Sequence, residues 1–102
     1  MPGKIRKGAP LLSAEDVARL HRDVPLWKVA DGKRLEREFR FKDFKSALAF
    51  ANRVGELSDA ENHHPDILIA WGKVAVVLWT HSAGGITEND FVLAGKIDLL
   101  PA

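Results

Sequence analysis

Cysteine is absent from this 102-residue chain. That excludes a disulfide framework and any thiolate chemistry, and it fits a reducing compartment. No apolar run approaches the roughly 20 residues that a membrane span needs, and the N-terminus lacks the apolar stretch of a secretory signal. Both absences predict a cytoplasmic protein that does not enter a membrane. Charge of one sign is equally scarce: Lys and Arg number 15, Asp and Glu 14, for a formal net charge of +1. Such a balance gives no electrostatic pull toward nucleic acid or a membrane surface. An internal repeat, a low-complexity segment and a glycine-rich phosphate loop are also missing. A chain of this length is expected to fold around one core as one domain.

What is present is concentrated between Asp59 and Asp90. The stretch reads Asp59-Ala-Glu-Asn-His63-His64-Pro65, an apolar hairpin, Thr80-His81, then Thr87-Glu88-Asn89-Asp90. Three of the four histidines lie here. Histidine is the side chain whose unperturbed charge change falls near neutral pH, so it is the usual carrier of protons. Pro65 biases His64 away from the α region and stiffens the approach to the next strand.

The remainder of the chain supplies a scaffold. Residues 1–11 carry glycines, prolines and Lys4, Arg6 and Lys7, and read as a flexible N-terminal tail, leaving 12–102 as the domain. Ser13 caps a helix, with Leu12 and Val17 as its staple and His21 at its end. Leu26 to Ala30 and Arg34 to Phe41 read as strands joined by the hairpin signal Asp31-Gly32. The second strand alternates, with Leu35, Phe39 and Phe41 on one face and Arg34, Glu36, Glu38 and Arg40 on the other. Asp43 caps a helix to about Leu57, with Phe44, Ala47, Leu48, Ala51 and Val54 as its buried stripe and Ser58-Asp59 as its break. Ile67 to Ala70 and Lys73 to Thr80 form a second hairpin. Thr87 and Asp90 form the capping box of a last helix reaching about Leu99. The expected fold is α+β, a four-stranded antiparallel sheet with three helices on one face, in the order α-β-β-α-β-β-α.

Three chemistries fit the histidines. They can be loop residues making structural hydrogen bonds. They can form a three-histidine zinc site, with Asp59 or Glu61 as a further ligand. They can also be a metal-free acid-base set, in which two imidazoles face one substrate. Among the accessory residues, Trp71 reads as a packing residue at the hairpin turn and Asp90 as a structural helix cap. Trp27 fits either the core or a pocket.

The spacing decides among these through a resemblance. Asp59, three residues, His63-His64-Pro65, five residues, Trp71, nine residues, His81, eight residues, Asp90 resembles the signature of the pterin-4a-carbinolamine dehydratases. Trp27, the junction from Phe39 to Phe44 and the turn from Ala83 to Thr87 extend the likeness to about residues 12–100. The resemblance implies dehydration of 4a-hydroxytetrahydropterin to quinonoid dihydropterin, without metal or organic cofactor. In organisms with aromatic amino-acid hydroxylases this regenerates the pterin those enzymes oxidise. It implies His63 and His81 as the acid-base pair, and His64, placed by Pro65, as a substrate-binding partner. Asp59 would orient an imidazole, and Trp27 would wall the pocket. The competing class is a non-catalytic binding or dimerisation module, since some relatives also serve as dimerisation cofactors for a transcription factor. Homodimers or homotetramers are expected, with an apolar strip around Trp79 at the pocket rim or in the interface.

Overall fold

The structure, a computed structural model, describes residues 3–101. Its elements are α1 (Ala14–His21), β1 (Lys28–Ala30), β2 (Arg34–Arg40), α2 (Phe44–Glu61), β3 (Asp66–Ala70), β4 (Lys73–Leu78) and α3 (Glu88–Asp98), in the order read from the sequence. The strands form one antiparallel sheet, ordered β1-β2-β4-β3. Asp31 and Gly32 both take positive φ, 54° and 67°, as a tight hairpin turn between twisted strands requires. Leu35 and Phe39 from β2 meet Val74, Val76 and Leu78 from β4 in one core, which Val17 of α1, Phe50 and Val54 of α2, and Phe91, Leu93 and Ile97 of α3 complete. The other face carries Glu36 opposite Val77 and Glu38 opposite Ala75. None of the described helices is long and apolar enough to cross a membrane.

The expected break at Ser58-Asp59 does not occur. The Ser58 hydroxyl turns inward and donates to the Val54 carbonyl at 2.7 Å, so this polar residue sits buried in the helix. Helix α2 ends one turn later at Asn62, whose left-handed conformation (φ 53°) is one that asparagine tolerates. At its other end the Asp43 carboxylate accepts from Ser46, and this bonding holds it below the usual carboxylate range. The buried stripe also shifts. Phe50 and Ser58 join Ala47, Ala51 and Val54, whereas Phe44 and Leu48 stay exposed.

The alternation of β2 has one interruption that the sequence reading passed over. Arg37 falls on the apolar face between Leu35 and Phe39. Its guanidinium lies 4.3 Å from the centroid of the Phe39 ring and pairs with Asp98 at the end of α3. Trp27 is 1% exposed, packs edge-on to Phe39, and donates its indole N–H to the same Asp98 carboxylate at 2.8 Å. The carboxylate therefore fastens the last turn of α3 to β2 and to the segment before β1. His21 closes the neighbouring corner by donating to the Trp27 carbonyl.

The segment expected to be a flexible tail is docked where the structure describes it; Met1 and Pro2 lie outside the described residues. Ile5 packs against the core, Ala9 is buried, and Leu11 bridges to Thr87.

Asp98→Ala leaves the Trp27 indole N–H buried without an acceptor and strips Arg37 of its partner. The expected loss is roughly 1–3 kcal/mol, read as a lower urea midpoint at unchanged slope.

Candidate active site

The site begins with a carboxylate that water does not reach. Asp90 is 0% exposed, and a buried carboxylate is tolerated only when its lone pairs are filled by donors. One oxygen, Oδ2, accepts from the Thr87 backbone N–H at 2.9 Å and from the Thr80 hydroxyl at 2.9 Å. The other, Oδ1, lies 2.6 Å from His63 Nε2. The Thr87 hydroxyl stands 2.8 Å from that of Thr80 and itself accepts the Asn89 backbone N–H. Each hydroxyl has one proton, so the order is fixed: Thr87 donates to Thr80, and Thr80 donates to Asp90. An ionised carboxylate only accepts, so His63 donates through Nε2 and carries its lone pair on Nδ1.

The other two histidines are held more loosely. His64 Nε2 reaches Asp59 Oδ1 at 3.2 Å, with side chains 58% and 86% exposed, so the contact is a solvated one. Helix α2 runs on to Glu61, so Asp59 lies in its last turn, within reach of His64. His81 is exposed in the turn after β4 and stacks on Trp79, with ring centroids 3.9 Å apart and planes 24° apart. Residues 79 and 81 share a side, as period-two geometry expects. His63, His64, Trp79 and His81 line one open cavity of about 360 Å³ with Asn62, Thr80 and Ser82.

The structure thus brings His63, His64 and His81 together and places Asp59 beside His64. It does not bring Trp27 to them: the ring is enclosed in the core, because its N–H is committed to Asp98. Pro65 is half-buried one residue before β3 and does not line the cavity. Trp71 is no packing residue within the chain, being 70% exposed at the hairpin turn. Asp90 caps α3 as expected and also holds His63, a second role that sequence reasoning missed. The capping box uses only one carboxylate oxygen, so the other was the signal that a second partner exists. Thr80 was missed as well. Among the described residues, no group of three His, Cys, Asp or Glu is placed to hold a metal ion.

A sequence model of the family described as pterin 4 alpha carbinolamine dehydratase matches residues 10–100. A relative from Rubrobacter xylanophilus, provisionally named pterin-4-alpha-carbinolamine dehydratase, is 50% identical over 93 residues, covering 91% of this chain and 87% of its own. One from Gloeobacter violaceus, also provisionally so named, is 46% identical over 100 residues, covering 95% and 86%. A crystal structure described as a transcriptional coactivator/pterin dehydratase from Brucella melitensis superposes with a TM-score of 0.79 at 33% identity, over 85% of this chain and 94% of that one.

Asp90→Asn sets an amide N–H against one of the three donors. Losing a bond to a charged acceptor and facing a buried donor with another donor is expected to cost roughly 1.5–3 kcal/mol. Nitrogen-15 NMR of the imidazoles gives the separate readout: neutral His63 carries its proton on Nε2 in the wild-type protein and loses that preference in the variant. A wild-type Nδ1–H tautomer would contradict the assignment.

Proposed function

The chain belongs to the pterin-4a-carbinolamine dehydratase family, and from that premise we propose that it dehydrates 4a-hydroxytetrahydropterin by metal-free histidine acid-base catalysis. One imidazole protonates the C4a hydroxyl, the C4a–O bond breaks, and water leaves as the N5 electron pair forms the C4a=N5 bond. The other imidazole takes the N5 proton, giving the quinonoid dihydropterin. The observation that carries this reading is a single cavity lined by His63, His64 and His81, with one of the three fixed by a buried carboxylate. His63 and His81 take the acid-base roles. His64, exposed beside Asp59, binds substrate, and the stacked Trp79–His81 pair offers a flat ring for the pterin. In this reading the enzyme works in the cytoplasm and recycles the pterin that a hydroxylase has oxidised.

Self-association belongs to the same proposal. Strand β3 is a sheet edge whose outer side has no strand partner among the described residues, with Leu68 and Ile69 exposed along it, Trp71 exposed in the turn after it, and Phe44 and Leu48 exposed on α2. Edges of this kind template pairing, and two copies of β3 can pair about a two-fold axis. The Trp79 ring, by contrast, lies stacked against His81. The same apolar edge favours a second reading, a binding or dimerisation module without catalysis.

Two experiments test these readings. With the carbinolamine generated in situ by a hydroxylase, His63→Ala and His81→Ala each lose a factor of roughly a hundred or more in kcat. His64→Ala raises KM instead, and exhaustive chelation leaves wild-type turnover intact. Near-wild-type turnover in all three variants would return the chain to the binding-module reading. For the assembly, Leu68→Lys combined with Trp71→Ser is expected to reduce the mass from light scattering to that of the single chain. A wild-type protein already monomeric at micromolar concentration overturns the assembly.

A further inference from the structure

We infer that residues 5–9 form the subsite for the side chain of the pterin, and that Asn89 is the positioning residue that holds this wall in place. The inference rests on the dehydratase reading. A second cavity, of about 380 Å³, adjoins the first and shares Asn62, His63, Thr80 and Ser82 with it. The first is completed by His64, Trp79 and His81, and the second by residues 5–9, with Glu61 and Asn89. A flat ring seated against Trp79 and His81 therefore has one neighbouring space on the other lining set of His63, and that space is polar.

Its wall is built rather than incidental. Asn89 is 5% exposed and gives both ends of its amide to one arm residue: Oδ1 accepts the Arg6 N–H at 3.0 Å, and Nδ2 donates to the Arg6 carbonyl at 2.7 Å. The pair imitates a β-bridge and fixes the arm backbone in both directions. Gly8 then turns the chain with φ 75°, and Ala9 is buried beyond it. Asn89 directly precedes Asp90, so the first turn of α3 sets both the imidazole of His63 and the wall facing it. A wall offering Arg6, Lys7 and backbone polar groups suits a hydroxylated side chain and gains little from a methyl group in its place.

The test compares two carbinolamines made in situ by a hydroxylase, one bearing a dihydroxypropyl side chain and one bearing a methyl group. Wild-type protein is expected to show a KM roughly tenfold lower for the dihydroxypropyl substrate, about the worth of one or two hydrogen bonds. Asn89→Ala unfastens the arm through its backbone, and Ile5→Ser does so through its core contact. Each is expected to bring the ratio of the two KM values toward one by raising the dihydroxypropyl KM, and the double variant does no more than either single. Trypsin cleavage after Arg6 and Lys7 accelerates in both variants. A wild-type ratio near one, or a ratio kept in both variants despite faster cleavage, overturns the subsite. Absence of dehydration with either substrate instead overturns the dehydratase reading beneath it.

Discussion

The buried carboxylate of Asp90 is the constraint on which the rest of the site depends. Bringing a carboxylate out of water costs several kcal/mol unless donors replace the lost hydration. Here three segments must converge to supply them: the start of α3 gives the Thr87 amide, the segment after β4 gives Thr80, and the loop after α2 gives His63. None of the three can move without leaving a charge uncompensated. Folding and site assembly are therefore one event at this point. The position of α3 helps as well, since a negative charge in the first turn is favoured by the helix dipole.

From this follows an uneven distribution of order among the histidines. The His63 side chain is 12% exposed and bonded to a group that cannot shift, whereas His64 is 58% exposed beside a solvated carboxylate. His81 has a ring to lie on and water on its other side. An acid-base pair needs one partner whose proton-bearing atom is defined before substrate arrives. In the proposed mechanism His63 would meet that need through the tautomer that Asp90 favours. In that proposal the looser pair would adjust to a bound ring, placing the ordering cost of the site on binding rather than on folding.

How much of this was legible depended on whether a residue obeyed one rule or two. The fold was readable because its signals agree: Asp31-Gly32 is a turn in sequence and in space, and the Thr87–Asp90 capping box forms as written. Arg37 was not legible as a core-facing residue, because its burial depends on Asp98, sixty-one positions away. The same partner hides Trp27 from the pocket where the resemblance placed it. Helix α2 outran its expected end because Ser58 satisfied its hydroxyl inside the helix instead of breaking it. For the histidines, spacing alone brought out the cluster, but not which carboxylate served which imidazole. Asp59 was the nearer candidate in sequence, and Asp90 the one whose burial demands a partner.

The two edges of the sheet, β1 and β3, are built differently. Strand β1 is three residues long, begins with an exposed lysine, and is paired to β2 along its whole length. Short and charged edges of this kind resist adding another strand. Strand β3 has five residues, with Leu68 56% and Ile69 38% exposed, and an exposed tryptophan, Trp71, follows it in the turn. Nothing in the core requires Leu68 or Trp71 to be apolar, since neither packs in it. Scattered exposed apolar residues are ordinary, but five of them on adjoining stretches of α2 and β3 are not scattered. The chain has thus blunted one edge in the way solitary sheets do and left the other suited to a partner. The open edge belongs to the strand that follows His64 and Pro65 directly, so a second copy seated on β3, as proposed, would also stiffen the backbone that carries the more exposed His64.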